Sequence, residues 1–236
     1  MNLVGKVAIV TGGSRMTGRA IVLALAEAGV RVVTCARQAD QLAGAVRELS
    51  THDKMVIGVR GDVGNPADVK QIVSSAVTTF GGVDILVNNA ARGGGGRTEE
   101  CTLEDWEAVF ATNVRGPFLL AQQVVPLMRQ RGGGHIISIG SGAGKQGYAG
   151  MPAYSASKFA LIGFSESLAQ EVTNDRIKVS VINPGTIRDT TRMGRTQPGV
   201  KYLLPSDVAA AVVGLLQQGD HAWTQEMNLW PFRGDS

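Results

Sequence analysis

The sequence predicts an α/β protein with one domain over residues 1–236, in which a doubly wound parallel sheet of about seven strands carries helices on both faces. Short apolar segments of strand length alternate along the chain with longer helix-forming segments. The first apolar segment passes through a glycine-rich turn directly into a helix-forming one, and no linker divides the chain. A chain of 236 residues can bury one substantial core.

The elements follow from these segments in order. We expect strands near 6–11, 30–36, 55–60, 83–88, 134–140, 176–182 and 223–230, and helices near 16–28, 39–49, 66–80, 103–130, 153–173 and 206–218. Asn65 followed by Pro66 is typical of a helix start, and Thr102 and Ser206 are residue types that cap helices. Because strands and helices alternate, the strands should be parallel, and ligands should bind beyond their carboxyl ends.

A glycine-rich turn, Gly12 to Gly18, follows the first strand, and the helix-forming segment 20–28 comes next. Such a turn exposes backbone N–H groups beside the positive end of a helix, an arrangement that binds a pyrophosphate. The plainer alternative is an ordinary glycine-rich connection. The second apolar strand, near 30–36, completes a strand–helix–strand unit and favours the nucleotide site.

Tyr154 and Lys158 are four residues apart in a helix-forming segment, thirteen residues after Ser141. Positions i and i+4 of a helix share one face, so the phenol and the ammonium should point into the same space. A free phenol has a pKa of about 10, and a nearby ammonium lowers it towards the range useful for proton transfer. An isolated Tyr-x-x-x-Lys usually marks only a surface helix, so the surrounding motifs decide its meaning.

With these motifs the chain resembles the short-chain dehydrogenase/reductase family of the Tyr-x-x-x-Lys type, over nearly its full length. Within that family it resembles the NADP(H)-dependent carbonyl and 3-oxoacyl reductases. Six family motifs occur in the family's order, which makes the set far more specific than any one of them. They are Thr11–Gly18, Asn88-Asn89-Ala90-Ala91, Asn113, Ser141, Tyr154 with Lys158, and Asn183-Pro184-Gly185.

The resemblance implies a Rossmann-like domain and the cofactor NADP(H). An acidic residue closing the second strand would select NAD(H), but this position holds Ala36, and Arg37 follows it. Arg37 and Arg15 would grip a 2′-phosphate, unless both are solvated surface charges. The cofactor-binding residues implied by position are Gly12, Ser14, Arg15, Met16, Thr17, Gly18, Arg37, Asp62, Val63, Asn89, Ala90, Ala91, Tyr154, Lys158, Pro184, Gly185, Ile187 and Thr190.

The resemblance also implies how the reaction proceeds. Tyr154 would be the general acid, and Lys158 would lower its pKa and bind the nicotinamide ribose. Ser141 would hold the substrate oxygen as charge develops on it. Asn113 would bend its helix and anchor a water that links Lys158 to solvent. The three scattered histidines indicate no metal site.

Two positions depart from the family pattern. Met16 replaces the middle glycine of the turn, as bulky residues do in the related pteridine reductases, which remain active but generally lack the serine found here as Ser141. The threonine that contacts the nicotinamide amide is usually one place earlier, where this chain has Asp189, so Thr190 takes that role here. A pteridine-type reductase and a non-catalytic NADP-binding protein therefore stand as alternatives to a carbonyl reductase.

The sequence says less about the substrate. A lid over about 185–205 carries several arginines, which suit an acidic or carrier-linked substrate, but such residues are more often ordinary solvated loop charges. The segment 226–231 reads as a strand without the family's frequent Asp-Gly-Gly ending. The substrate is expected to be a small or acyl-chain carbonyl or alcohol.

Composition indicates which binding partners and which cellular compartment to expect. A formal net charge of +3 gives no reason to expect nucleic acid, the apolar runs are too short for a membrane span, and nothing in the sequence resembles a signal peptide. Cys35 and Cys101 form neither a disulfide framework nor a metal motif, which suits the cytoplasm. By analogy with relatives, the helices near 103–130 and 153–173 should pair subunits in a homodimer or homotetramer.

Overall fold

The computed structural model describes residues 1–50, 55–94, 96–188 and 201–232. Within these ranges seven strands form one sheet in the order β3-β2-β1-β4-β5-β6-β7, and every neighbouring pair is parallel. The fold class predicted from the sequence is confirmed. The strands are β1 Val7–Thr11, β2 Arg31–Ala36, β3 Val56–Arg60, β4 Ile85–Asn88, β5 Gly134–Ile139, β6 Ile177–Pro184 and β7 Glu226–Leu229.

Helices cover both faces of the sheet and enclose a separate apolar core on each side. Consecutive residues of β1 alternate between the two cores: Val7 and Ile9 belong to one, Ala8 and Val10 to the other. This is why the strand reads as an uninterrupted apolar run. The helices are α1 Met16–Glu27, α2 Ala39–Leu49, α3 Pro66–Phe80, α4 Leu103–Phe110, α5 Gly116–Gln130, α6 Pro152–Val172 and α7 Pro205–Gln217.

Two of the three predicted helix caps are confirmed. The Asn65 side chain accepts hydrogen bonds from the backbone N–H groups of Ala67 and Asp68 at the start of α3. The Thr102 hydroxyl accepts one from the N–H of Asp105. Ser206 is not a cap, because α7 already begins at Pro205. Proline suits the first helical position, since its missing N–H would have had no partner there.

The single helix predicted over 103–130 is wrong in its middle. A π-helical turn, Ala111–Arg115, separates α4 from α5 and contains Asn113. The extra residue in such a turn re-aims a side chain, and π-turns occur often at functional sites. The turn explains how Asn113 faces inwards in a segment whose flanking helices are regular.

A buried carboxylate ties the amino edge of the sheet together. Asp84 precedes β4, and its Oδ2 accepts bonds from the Val7 N–H and from Arg131 Nη2, both at 2.9 Å. Its Oδ1 accepts from Arg131 Nε at 2.9 Å and lies 3.5 Å from Lys6 Nζ. Burial alone would raise the pKa of Asp84, but these bonds together hold it below its ordinary value.

No helix in the described part of the chain is both long enough and apolar enough to span a membrane.

Candidate active site

A cleft of about 490 Å³ opens at the carboxyl edge of the sheet, where the strand order reverses between β1 and β4. Twelve of the predicted cofactor residues line it together. They are Gly12, Ser14, Arg15, Met16, Thr17, Gly18, Arg37, Asp62, Val63, Asn89, Ala90 and Ala91.

The turn between β1 and α1 presents backbone groups to this cleft. Gly12 has φ +72°, and a Cβ on Gly18 would overlap the carbonyl oxygen of Gly12, so both positions need glycine. Arg15, at the N-cap of α1, makes no side-chain cap, and the first turn contains no acidic residue. The N–H groups and the positive end of the helix dipole therefore remain available to an anionic ligand.

Two loops are tied together beneath the cleft. The Thr11 hydroxyl accepts hydrogen bonds from the N–H groups of Asn89 and Ala90, at 3.0 and 2.9 Å. The Asn89 side-chain amide donates to the Thr11 carbonyl at 2.8 Å. These bonds fix the ends of β1 and β4 relative to each other, so the cleft has a preformed floor.

Met16 lines the cleft in a strained conformation. Its φ of +44° is in the left-handed region, which favours glycine and costs a residue with a Cβ roughly 1–2 kcal/mol. The chain thus keeps the backbone shape of a glycine turn although the glycine is absent. Met16 has neither closed the cleft nor unwound the start of α1.

Arg15 and Arg37 border the same cleft from two elements. Arg37 follows β2, and its Nη1 lies 3.9 Å from Asp62 Oδ2 in a largely exposed pair. Asp62 is itself oriented by the N–H of Gly64, which donates to Oδ1 at 2.8 Å. Two guanidinium groups that line one cleft can bind a phosphate dianion.

Six further residues of the cleft were missed by the sequence analysis. They flank the predicted positions in the chain, and a signal was available for Ala36 alone, the position that closes β2. The six are Cys35, Ala36, Gln38, Gln41, Gly61 and Thr112. Burial raises the pKa of the Cys35 thiol to about 12, so it is an inert part of the wall.

Tyr154, Lys158 and Ser141 meet at the carboxyl edge as predicted. Ser141 lies two residues beyond the end of β5, and its hydroxyl is near enough to the Tyr154 phenol to lower the pKa of Tyr154 as a hydrogen-bond donor. Lys158, one turn further along α6, is 2% exposed, and its Nζ donates to the Ile139 carbonyl at 2.7 Å. The same Nζ lies 5.6 Å from the centroid of the Tyr154 ring.

The pKa of Tyr154 differs from the expectation. Burial raises it, and the Ser141 hydrogen bond only partly opposes that rise. Burial also lowers the pKa of Lys158 to about 8, so its ammonium group gives up a proton more readily than an exposed lysine does. The i, i+4 spacing predicted the proximity of the two groups but not how deeply both are buried.

Asn113 lies at the junction of three segments. Its amide exchanges hydrogen bonds with the backbone of Arg92, at 2.8 and 3.0 Å, and donates to the Ser157 hydroxyl at 2.9 Å. Ser157 in turn donates to the Tyr154 carbonyl. The structure thus links Asn113 to the helix that carries Tyr154, and the predicted bending of its own helix is the π-turn.

The end of β6 brings the remaining predicted residues to the same edge. Pro184 closes the strand, the Gly185 N–H donates to the Leu229 carbonyl at 2.8 Å, and Ile187 bridges to Leu203. Thr190 and residues 191–200 of the predicted lid lie outside the described residues. Trp230 was not predicted as part of the site, but its ring packs against Gly185 and Gly142 at this edge.

Comparisons with known proteins agree with this architecture. The family model for short chain dehydrogenase matches residues 6–199. A Streptomyces violaceoruber protein, named as ketoacyl reductase 1 of the granaticin polyketide synthase, is 40% identical over 183 residues, which are 77% of this chain and 67% of the relative.

Two solved structures are similar over almost the whole chain. A metagenomic short-chain oxidoreductase in complex with NADP has a TM-score of 0.87 and 32% identity, covering 99% of this chain and all of its own. L-Sorbose reductase from Gluconobacter frateurii, complexed with NADPH and L-sorbose, has a TM-score of 0.88 and 33% identity, covering 98% and 97%.

Proposed function

The chain belongs to the short chain dehydrogenase family, and we propose that it transfers a hydride between NADP(H) and the carbonyl or secondary alcohol of a small or acyl-chain substrate. One observation carries the proposal. The buried Lys158 ammonium lies 5.6 Å from the Tyr154 ring, and the Ser141 hydroxyl lowers the pKa of the same phenol, at the same edge of the sheet as the nucleotide cleft. A non-catalytic binding protein would have no need of a buried lysine next to a buried tyrosine.

The cleft fits NADP(H). The uncapped start of α1 suits a pyrophosphate, and Arg15 and Arg37 suit a 2′-phosphate. Similar structures that contain NADP or NADPH support the same cofactor. When bound, NADPH supplies the hydride that reduces the carbonyl carbon.

Side chains of the protein bind the substrate oxygen and supply its proton. Both hydroxyls can donate to a carbonyl oxygen placed between them, so negative charge that develops there is stabilised. Tyr154 then gives its proton to that oxygen, which completes the alcohol. Lys158 faces the ring that loses the proton, and its ammonium favours the resulting phenolate. The reverse reaction uses Tyr154 as the base.

Assembly into a homodimer or homotetramer is part of the same proposal. Phe118 on α5 and Phe159 on α6 expose nearly half of their surfaces on the helices that would pair.

Replacing Tyr154 by Phe tests the reaction. NADPH consumption with a small ketone and with an acyl β-ketone should fall by about 10²–10⁴-fold in kcat, because the proton donor is lost. NADPH binding, followed by tryptophan fluorescence, should remain near the wild-type value. Tyr148→Phe removes a phenolic hydroxyl from an exposed side chain and is the matched control.

Other outcomes decide against the proposal. Turnover that survives in Tyr154→Phe would assign the proton to another group. Tight NADPH binding without turnover by the wild-type protein would favour the non-catalytic alternative. Equal affinity for NADH and NADPH would remove Arg15 and Arg37 as the phosphate clamp.

A further inference from the structure

Trp230 directly follows β7 and lies at the carboxyl edge of the sheet. Leu229 pairs with Pro184 of β6, and the Gly185 N–H donates to the Leu229 carbonyl at 2.8 Å. The indole of Trp230 extends from there across the end of β6 towards the segment that follows β5. Ladder pairing of β7 with β6 fixes the backbone from which the ring extends.

The six-membered ring of the indole lies against two glycines. A Cβ placed on Gly185 would be 2.7 Å from Cε3 of Trp230, and one placed on Gly142 would be 2.7 Å from Cη2. Any side chain at either position would therefore displace the ring. Gly142 is the residue after Ser141, so the far edge of the indole reaches the segment that carries the oxygen-binding hydroxyl.

The indole of Trp230 is only partly packed. Trp230 remains 52% exposed although it contacts both glycines. The other two tryptophans are engaged differently: Trp106 stacks on Phe110, and Trp223 donates its ring N–H to the Val179 carbonyl. Trp230 alone of the three thus offers a flat apolar surface beside the candidate catalytic centre.

We propose that Trp230 is a substrate-binding residue that selects carbonyl compounds with a flat apolar group, such as an aromatic ring, next to the carbonyl. The proposal rests on the proposed function, which places the carbonyl oxygen at Ser141 and Tyr154. A substituent on the carbonyl carbon that extends past Gly142 then meets the exposed part of the indole. Aromatic rings pack there favourably, whereas a polyhydroxylated substituent would lose water without gaining hydrogen bonds from a carbon surface.

The test compares acetophenone with hydroxyacetone as substrates of the wild-type protein and of Trp230→Ala, Trp230→Phe and Trp106→Phe. Trp230→Ala should raise KM for acetophenone by about tenfold and change kcat and KM for hydroxyacetone by less than about twofold, since only the aromatic contact is removed. Trp230→Phe should retain most of the affinity for acetophenone. Trp106→Phe should behave like the wild-type protein towards both ketones.

Calorimetric titration of acetophenone into the protein with bound NADP⁺ separates this inference from the proposed function. Binding that weakens in Trp230→Ala supports the inference even if no ketone is turned over, an outcome that would overturn only the reductase assignment. Equal losses for both ketones would show that Trp230 merely holds β7 in place, and would overturn the inference. So would an acetophenone affinity that is unchanged in Trp230→Ala or undetectable in the wild-type protein.

Discussion

The two edges of the sheet each contain a buried charged side chain, but they differ in how well that charge is paired. At the amino edge, both oxygens of Asp84 are used, by Arg131, by the Val7 N–H and by Lys6. At the carboxyl edge, Lys158 is equally buried but donates to a single carbonyl and has no carboxylate partner in the described ranges. A paired buried charge holds elements together, whereas an underpaired one costs stability and remains reactive.

The pKa shifts express this contrast. The pKa of Asp84 is lowered, so its charged form is favoured by the folded protein. The pKa of Lys158 is also lowered, to about 8, so its charged form is disfavoured. Both polar atoms of the buried Asn88 amide also lack a partner among the described residues, at the same edge as Lys158. Unpaired buried groups therefore lie with Lys158 at the carboxyl edge, although Gln218 Oε1, at the end of α7, also lacks a partner among the described residues.

Breaking the amino-edge cluster should give the largest loss of stability. Asp84→Ala should lower the free energy of unfolding by about 3 kcal/mol, because the buried Val7 N–H is left without an acceptor and Arg131 loses both of its charge-assisted bonds. Urea unfolding measures this. Asp105→Ala breaks the exposed pair with Arg92 and should cost less than about 1 kcal/mol. Equal losses in the two variants would contradict the contrast between the edges.

The pH dependence of Asp84 has a definite sign. Its folded pKa lies below the ordinary value of 3.8, so it adds stability above that pH, and this contribution disappears as the pH falls through the folded pKa. Asp84→Asn should therefore lose stability less steeply than the wild-type protein below pH 4.

Removing the charge at the carboxyl edge should have the opposite effect on stability. Lowering the pKa of Lys158 from 10.5 to about 8 corresponds to about 3 kcal/mol against the ammonium at pH 7. Lys158→Met avoids this cost but leaves the Ile139 carbonyl unbonded, so a net gain of about 2 kcal/mol is expected in urea unfolding, together with loss of turnover.

A pH series provides the control for Lys158. Between about pH 8 and 10.5 the unfolded wild-type chain binds the lysine proton and the folded one does not, so stability should rise with pH. Lys158→Met should lack this rise. A variant that is less stable than the wild-type protein at pH 7 would mean that the ammonium is better paired than the contacts indicate.

The sequence predicts the local features of the site better than the contacts between distant parts of the chain. The glycine turn and the Tyr154–Lys158 pair were predicted because local spacing determines their geometry. Asp84 and Trp230 were missed, since their partners are distant in the chain: Asp84 pairs with Arg131, and Trp230 crosses to Gly142. The pKa of Tyr154 was predicted in the wrong direction because burial, which spacing does not encode, dominates it.

The smallest expected effect comes from backbone strain, which occurs at both edges. Met16 at the carboxyl edge and Arg176, just before β6 at the amino edge, are the described non-glycine residues with positive φ, +44° and +57°. Glycine relieves roughly 1–2 kcal/mol of strain but loses about 0.5–1 kcal/mol through greater freedom of the unfolded chain. Met16→Gly and Arg176→Gly should each therefore raise the free energy of unfolding by up to about 1 kcal/mol.

Only one of these two substitutions should affect the cofactor. Met16 lines the cleft, so its removal should let NADPH approach the turn more closely and bind severalfold more tightly in a fluorescence titration. Arg176→Gly should leave NADPH affinity unchanged, because that residue lies at the opposite end of β6 from the cleft. If Met16→Gly gains stability but binds NADPH no better, the methionine side chain points away from the pyrophosphate, and the strain at position 16 has no bearing on the cofactor.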